Sequence, residues 1–332
     1  MIKIVRVFQL IKNSNEEFSH INIENCSYVK RVGRDTSTML RLASGLLLLL
    51  SAPTSSTAVG HDAHSCTGFY FRQLAVGVVI ARPLDAQSDS EAALFALASR
   101  MKNFVYVFGD LELGVAAVID GAWDIRGIER LVNADGLNLT AAIATHFHWD
   151  HIGTADVDYG AGGIPGIREL AALPSVKHVY VPRWEIDAAA KQTKCARSAL
   201  TPLDETTIVH VGRFAARFTH TPGHSPGSVC IAISERSNQG AHGASSNDHD
   251  APLLLVTGDT LFPGSCGRLD LPGSDPMAMY DSILKLRTRF ADDLTIYPGH
   301  SYGGKSSTIG REKRGGLLRP MSRAEWTKRM IP

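Results

Sequence analysis

The chain has 332 residues, 44% of them hydrophobic, and its 34 basic and 33 acidic side chains give a net charge of +1. This composition can bury a sizeable core and argues against a disordered chain. The near-zero charge lacks the basic field that nucleic-acid-binding proteins use, so no nucleic-acid partner is expected. The five cysteines are far apart and form no C-x-x-C pair, which disfavours a disulfide framework and a cysteine-rich zinc site.

Residues 1–65 are predicted to be an N-terminal extension. A leucine-rich run begins just after Met39, with Arg34 and Arg41 beside it and small residues behind it. That order of basic, apolar and small residues is typical of a targeting signal, so we interpret residues 39–58 as one that leads to the secretory pathway or an organelle. A disordered extension on a cytoplasmic protein is the alternative. The run is shorter than the roughly 20 residues of a transmembrane helix, so no stable membrane span is expected.

Residues 66–332 are predicted to form one catalytic domain, beginning near residues 69–74, in which strands and helices alternate. Runs of β-branched and aromatic residues predict strands at 103–108, 114–120, 139–144, 176–181, 214–220, 228–233, 253–256 and 294–297. Apolar residues at helical spacing predict helices at 90–98, 124–133, 167–173 and 276–290. Ser90 is the predicted N-cap of the first helix, and Asp275 caps the last, with Pro276 at its first position.

Two connections between these elements have their own signals. Gly109-Asp110, between two apolar runs, is predicted to turn a hairpin. Residues 234–251 are rich in serine, asparagine, glycine and aspartate, which indicates a low-complexity loop. We therefore expect His242 and His249 to be solvated rather than metal ligands.

Metal-binding side chains concentrate directly after the strand predicted at 139–144. The segment there, which we call the histidine loop, is His146-Phe147-His148-Trp149-Asp150-His151. Neutral imidazole is a good ligand for zinc, iron or manganese, and carboxylate suits the harder of these ions. A chance cluster of surface histidines is the alternative, but four such side chains at this spacing are hard to explain as a core or a solvated face.

Three further predicted strands end in a metal-binding residue preceded by a glycine, in the pairs Gly223-His224, Gly258-Asp259 and Gly299-His300. Glycine lets the backbone turn sharply and bring a side chain into a crowded site. Irregular loops at strand ends are also where layered folds place their chemistry. One buried histidine is more often a core residue, but seven metal-binding residues that all follow strands predict a metal site.

This ligand pattern is similar to the full metal-ligand set of the metallo-β-lactamase superfamily. Within it the chain resembles the glyoxalase II (hydroxyacylglutathione hydrolase) branch, and the same segments resemble persulfide dioxygenases. The segments are TPGHSPGS at 221–228, GDTLF at 258–262, CGRLD at 266–270 and YPGH at 297–300. Lactamases proper are less similar, because their bridging ligand is usually cysteine and here it is Asp259. The resemblance implies an α+β four-layer αββα sandwich, in which two mixed sheets lie face to face with helices outside both.

The resemblance also implies two divalent metals, zinc in the first place with iron or manganese as alternatives. The ligands would be His146, His148 and His224 for one metal and Asp150, His151 and His300 for the other, with Asp259 between them. A hydroxide that bridges the metals forms near neutral pH and can attack a carbonyl, which the metals also polarise. Asp150 is the expected catalytic residue, which orients the nucleophile and holds its proton. Asp120 is expected either to hydrogen-bond a ligand imidazole or to cap its own loop.

The function that this resemblance implies is metal-dependent hydrolysis of a thioester of the hydroxyacylglutathione type, with a small molecule such as a glutathione conjugate as substrate. Arg268 is predicted to bind a substrate carboxylate, with an ion pair to Asp270 or Asp275 as the alternative. Tyr302 is predicted to line the same pocket or to pack beside it. Cys266 is interpreted as a buried thiol rather than a nucleophile.

An iron-dependent persulfide dioxygenase acting on glutathione persulfide is the alternative function. It would hold one iron on a face of two histidines and one carboxylate, formed by His146, His224 and Asp259. A non-catalytic metal-binding protein is disfavoured by the intact ligand set, and a nuclease by the charge. The segment after His300 is too short for the helical domain that grips glutathione in glyoxalase II enzymes, so the substrate stays open, as does the oligomeric state.

Overall fold

A computed structural model of the chain describes residues 67–156, 163–236 and 251–330. The predicted extension, with its targeting segment, lies outside the described residues. So do residues 237–250 of the predicted loop, which carry His242 and His249. Within the described part of the chain, no helix combines the length and the apolar character that crossing a bilayer requires.

The first sheet is mixed and contains the histidine loop's own strand. Its strands are β1 (Phe69–Ala75), β2 (Phe104–Asp110), β3 (Val115–Ile119), β4 (Asn138–Ile143), β5 (His178–Pro182) and β6 (Leu200–Leu203). They lie in the order β1-β2-β3-β4-β5-β6. The pairs β1–β2 and β2–β3 are antiparallel, and the next three pairs are parallel.

The second sheet is also mixed. Its strands are β7 (Ile208–Val211), β8 (Phe214–His220), β9 (Val229–Glu235), β10 (Leu254–Gly258), β11 (Thr295–Pro298) and β12 (Ser307–Thr308). They lie in the order β12-β11-β10-β9-β8-β7. Among the described pairings of this second sheet, β10–β11 is parallel and the others are antiparallel. All eight predicted strands are present, and β8 has the predicted bounds.

The helices connect the strands and cover the outer faces of both sheets. They are α1 (Asp89–Met101), α2 (Ile125–Ala134), α3 (Trp149–Ile152), α4 (Ile167–Ala172), α5 (Ile186–Thr193), α6 (Pro276–Arg289), α7 (Ile309–Gly315) and α8 (Arg323–Met330). Short 3₁₀ turns lie at Pro83–Asp85 and Arg197–Ala199.

Three apolar cores hold four layers together. Between the sheets, aromatic residues such as Tyr106 and Phe108 of β2 face Phe214 and Phe218 of β8. A second core lies between the first sheet and α1, α2, α4 and α5, and a third between the second sheet, α6 and α8. Each sheet thus buries both faces, one against the other sheet and one against helices. The predicted αββα sandwich is confirmed.

Two local predictions need correction. The N-cap of α1 is Ser88, whose side chain accepts a hydrogen bond from Glu91 N, and Ser90 lies inside the helix. Gly109 and Asp110 lie within β2, opposite Ala116 and Val115, so the hairpin turns at residues 111–114. Asp275 caps α6 as predicted, accepting hydrogen bonds from Met277 N and Ala278 N.

The two sheets meet at the end where β4, β8, β10 and β11 stop. Phe104 N at the start of β2 donates a hydrogen bond to Gly299 O just after β11 (2.8 Å). Val229 N at the start of β9 donates to Thr145 O just after β4 (2.9 Å). These contacts bring the loops of both sheets together, and the predicted metal-binding residues lie on those loops.

Candidate metal centre

The histidine loop leaves β4 and closes into the single turn α3, anchored by Asp120. Asp120 follows β3 in the left-handed region (φ +54°) and is 3% exposed. Its carboxylate accepts hydrogen bonds from Thr145 N and Thr145 Oγ1, both at 2.7 Å. Its Oδ2 also lies 2.9 Å from His151 Nδ1. Of the two roles expected for Asp120, the structure shows the contact with a ligand imidazole.

Three of the imidazoles are oriented by acceptors on the side facing away from the centre. His151 Nδ1 faces Asp120 Oδ2, His224 Nδ1 lies 2.8 Å from Arg268 O, and His300 Nδ1 lies 2.8 Å from Met101 O. A neutral imidazole that donates through Nδ1 keeps a lone pair on Nε2. The three Nε2 atoms therefore point inwards, and in the neutral ring each offers a lone pair, which is how proteins present histidine to a metal.

Nitrogen atoms that face the centre lie within hydrogen-bond distance of one another. His148 Nδ1 lies 2.8 Å from His224 Nε2, and His151 Nε2 lies 3.2 Å from His300 Nε2. Among the described residues, the buried atoms His146 Nε2 and Asp259 Oδ1 have no hydrogen-bond partner. A buried polar atom without a partner is costly to a fold. Converging lone pairs and unpaired atoms fit a cation.

The ligand atoms form two groups joined by Asp259. In each group they lie within 4.8 Å of one another, and the groups are His146, His148 and His224, and Asp150, His151 and His300. Asp259 Oδ2 lies 3.4 Å from both His224 Nε2 and His300 Nε2, so it faces one member of each group. All seven predicted ligands thus come together. Asp120 also lies within ligand distance of His146 and His151, but Thr145 already occupies both of its oxygens.

Glycine is required beside the Asp259 carboxylate. A Cβ on Gly299 would lie 2.2 Å from Asp259 Oδ1, and Gly258 has a φ of +48° with Thr145 Oγ1 only 2.8 Å from where its Cβ would be. A larger residue at either position would push into the centre. This explains physically why glycine precedes the ligands on these strands.

The centre contains both neutral imidazoles and ionised carboxylates. Burial and then the neighbouring His151 lower the pKa of His146 well below its usual value, and burial and then His224 lower the pKa of His148 to about 4. Both rings are therefore neutral near pH 7, the form that binds metal. Burial opposes ionisation of Asp150 and Asp259, but nearby histidines hold both pKa values well below the usual range.

The opposite shift affects the histidines that face these carboxylates. Burial lowers the pKa of His151, but Asp150, Asp259 and Asp120 together raise it to about 9. The same balance raises the pKa of His300 well above its usual value. Buried carboxylates thus attract positive charge to the centre, which protons or a metal ion can supply.

A cavity of about 440 Å³ opens onto the ligands. Its apolar wall includes Met101, Phe147, Trp149, Phe262 and Leu271. Trp149 packs edge-on against the buried Trp123, with ring centroids 5.9 Å apart. Trp149 therefore both forms a wall of the cavity and packs behind the histidine loop.

The predicted substrate residues line the cavity, with their polar groups already paired. Arg268 Nε and Nη2 donate to the two oxygens of Asp270 at 2.9 and 2.8 Å, so the alternative ion pair is present. Tyr302 stacks on His300 with 4.8 Å between ring centroids, and its hydroxyl donates to Met101 O. Burial raises the pKa of Cys266 to about 12, which keeps its thiol protonated.

Several supporting residues were not predicted. Asn103 Nδ2 donates to Asp150 Oδ2 (3.0 Å), and Trp123 Nε1 donates to Asp150 O (2.9 Å). Glu185 and Gln192, at the two ends of α5, contact the loops that carry the ligands. They lie far from the ligand motifs along the chain, and no sequence signal marks them.

Residues 103–237 match the family model described as the metallo-beta-lactamase superfamily. Over these residues the chain is similar to the metallo-beta-lactamase superfamily. The matched range contains the histidine loop and His224, and Asp259 and His300 follow it. The resemblance seen in the sequence motifs is thus confirmed.

Similar proteins support a hydrolase of this superfamily. The "probable polyketide biosynthesis zinc-dependent hydrolase PksB" of Bacillus subtilis is 28% identical over 201 residues, which cover 60% of this chain and 74% of the relative. A hydroxyacylglutathione hydrolase of Rhodopseudomonas palustris is 32% identical over 200 residues, which cover 60% of this chain and 63% of the relative. The chain therefore spans less than two thirds of the second relative.

A solved structure extends the similarity to the three-dimensional fold. The metallo-beta-lactamase from Staphylococcus aureus subsp. aureus COL superposes with a TM-score of 0.57 and 26% identity. The superposition covers 80% of this chain and 67% of the other. The described domain thus shares its fold with that structure.

Proposed function

We propose that this metallo-beta-lactamase superfamily domain is a metal-dependent hydrolase of acyl thioesters, of which the hydroxyacylglutathione type is the first candidate. One observation carries the proposal. Two groups of three ligands share Asp259 at the floor of a largely apolar cavity. The relatives named as a zinc-dependent hydrolase and as hydroxyacylglutathione hydrolases add support.

The donor set is suited to two divalent cations, with zinc as the first choice. Mixed imidazole and carboxylate ligands suit zinc, iron and manganese. Two such cations, when bound, polarise a carbonyl and lower the pKa of a water from ~15.7 towards ~7. The two groups would hold one cation each, and Asp259 would face both.

Asp150 is the proposed catalytic residue among the chain's own side chains. Asn103 donates to its Oδ2, and Trp123 holds its backbone oxygen. Its pKa lies well below the usual range, so it is an anion that can accept a hydrogen bond from a water and orient it. These contacts fix the side chain and the backbone of Asp150, which keeps its carboxylate in reach of a substrate carbonyl above the centre.

The cavity wall suits a thioester better than a more polar acyl compound. A thiol leaving group has a pKa of ~8.5, so it departs as a thiolate without a proton donor. The apolar side chains around Trp149 and Phe262 can exclude bulk water and bind a carbon chain. Arg268, at the rim of the cavity, is the cation that would bind a substrate carboxylate. To do so, its guanidinium has to leave Asp270.

The test is turnover by the purified full chain loaded with zinc. S-lactoylglutathione and an acyl thioester of N-acetylcysteamine are the substrates, and metal per chain is measured on the same sample. We expect hydrolysis of at least one substrate and a loss of about 10²–10⁴-fold in Asp150→Asn. The exposed Asp156, paired with Lys194, gives the matched control Asp156→Asn.

Two results would overturn the proposal. The first is a protein that binds two zinc ions and hydrolyses neither thioester. The second is a protein that holds one iron and consumes oxygen with glutathione persulfide, which would establish the dioxygenase alternative instead. The metal count and the oxygen electrode separate these outcomes.

A further inference from the structure

Helix α5 lies behind the histidine loop and contacts it through Gln192. The side-chain amide of Gln192 donates from Nε2 to Phe147 O (2.9 Å) and to Gly153 O (3.0 Å). These two carbonyls flank α3, the turn that carries Asp150 and His151. The backbone oxygen of Gln192 accepts a hydrogen bond from Ala155 N (3.0 Å). One residue of α5 therefore fixes both ends of the loop.

The other end of α5 contacts the loop that carries His224. Glu185, the residue just before the helix, is 3% exposed, and its Oε1 accepts a hydrogen bond from Gly227 N at 2.7 Å. A Cβ on Gly227 would lie 2.6 Å from Glu185 Cγ, so the Glu185 side chain packs directly against the Gly227 backbone. Gly227 is three positions after His224 in the sequence.

The carboxyl group of Glu185 faces both ligand loops. Burial raises its pKa, and the hydroxyl of Ser225 and the amides of Gly227 and Phe147 counteract that rise. Ser225 and Gly227 flank the turn after His224, whereas Phe147 belongs to the histidine loop. Among the described residues, Glu185 forms no ion pair and its Oε2 has no hydrogen-bond partner. A buried carboxyl without a cation is a poor way to stabilise a fold, since an apolar residue of its size packs at lower cost.

We propose that Glu185 and Gln192 are positioning residues that make α5 a brace for the metal centre. The brace sets the separation of the two loops, and with it the 2.8 Å approach of His148 Nδ1 and His224 Nε2. Glu185 governs the group formed by His146, His148 and His224. Gln192 governs the whole histidine loop and so both groups. This inference rests on the metal site of the proposed function, but not on its substrate.

The two residues leave different signatures in metal binding. Glu185→Leu removes the acceptor for Gly227 N but keeps an apolar side chain of similar size. We expect one zinc equivalent to bind about 10- to 100-fold more weakly and the other to keep its affinity. Gln192→Leu should weaken both equivalents. Glu185→Gln keeps an oxygen for Gly227 N and should restore most of the lost affinity.

The measurement is a zinc titration of the full chain against a chromophoric chelator, with cobalt absorption spectra as a second readout of ligand geometry. Asp110→Asn is the matched control. Asp110 is a fully buried carboxylate that also joins two loops, by accepting hydrogen bonds from Arg213 N and Arg213 Nε at 2.9 Å. It lies at the opposite end of β2 from the centre, so this variant lowers stability without changing zinc affinity.

The outcomes distinguish a brace that positions the metal ligands from residues that only stabilise the fold. They also test the brace independently of the proposed thioester hydrolysis. The brace would be overturned if Glu185→Leu bound both zinc equivalents with wild-type affinity. It would also be overturned if Asp110→Asn lost zinc affinity to the same extent, relative to its fall in Tm, as Glu185→Leu. If Glu185→Leu does not fold, Gln192→Leu decides: unchanged affinity for both equivalents overturns the brace. A wild-type protein that binds no zinc refutes the metal site itself. A wild-type protein that binds zinc but hydrolyses no thioester refutes only the function.

Discussion

Replacing Asp120 by asparagine tests how one buried carboxylate supports the second ligand group. The carboxylate accepts from Thr145 N and Thr145 Oγ1 at 2.7 Å and lies 2.9 Å from His151 Nδ1. Its φ of +54° falls in the left-handed region, which asparagine tolerates better than most residues. The substitution therefore keeps the backbone and changes the hydrogen bonding.

The asparagine would force His151 into the wrong tautomer. Its Oδ1 can still accept from Thr145 N, but its amide nitrogen takes the place of the oxygen that faces His151 Nδ1. Two donors cannot bond, so His151 has to accept on Nδ1 and carry its proton on Nε2, which faces the centre. We expect the metal held by Asp150, His151 and His300 to bind about 10- to 100-fold more weakly, a change of about 1.4–2.7 kcal/mol. Loss of the charge-assisted bond should lower the free energy of unfolding by about 1.5–3 kcal/mol.

Zinc titration measures the first effect, and thermal unfolding in excess chelator measures the second. A change of 1 kcal/mol moves the Tm of a domain of this size by about 2–4 °C. Two equivalents bound with wild-type affinity in Asp120→Asn would refute the tautomer argument. Equal weakening of both equivalents would also count against it, because it would show a general disturbance of the centre.

Two further substitutions probe the substrate rim and the scaffold. Asp270→Asn frees the Arg268 guanidinium from an exposed ion pair, which solvent screens and which therefore adds little to stability. In steady-state assays the KM for a glutathione thioester should fall about two- to fivefold. The KM for a neutral thioester should not change. An equal change in both KM values would show that Arg268 does not recognise carboxylates. Asp275→Ala removes the acceptor for Met277 N and Ala278 N, which should cost about 1 kcal/mol. Its Tm should fall without any change in zinc affinity, and an unchanged Tm would contradict the role of this cap.

Local sequence signals predicted the start of a helix correctly where a single capping residue stood out. Asp275 followed by proline predicted the start of α6, and the capping contacts are present. The start of α1 was wrong because two serines compete there. Ser88 accepts from Glu91 N, and the Glu91 carboxylate reaches back to accept from Gln87 N at 2.6 Å, one residue before the cap, in a variant of the capping-box pair. The S-x-x-E spacing that marks such a pair was in the sequence, and it favours Ser88 over Ser90.

The clustering of the candidate ligands could be predicted because they stand in compact motifs at strand ends. The residues that orient them could not, because only tertiary structure brings them into place. Asn103 lies 47 positions from Asp150, and Glu185 lies 42 positions from Gly227. The sequence around Arg268 is equally compatible with a substrate carboxylate and with an ion pair. Deciding between these needs the side-chain geometry, which places the guanidinium on Asp270.

The candidate centre joins the two sheets, so its metal affinity and the stability of the sandwich are linked. The histidine loop follows β4 of the first sheet, whereas His224, Asp259 and His300 follow strands of the second. A cation that binds only the folded arrangement stabilises it by about 2.7 kcal/mol when its free concentration is 100 times its Kd. A weaker ligand group therefore also lowers the Tm in zinc. For this reason a substitution such as Asp120→Asn or Glu185→Leu reveals its effect on folding only in chelator, and its effect on the centre only in the titration.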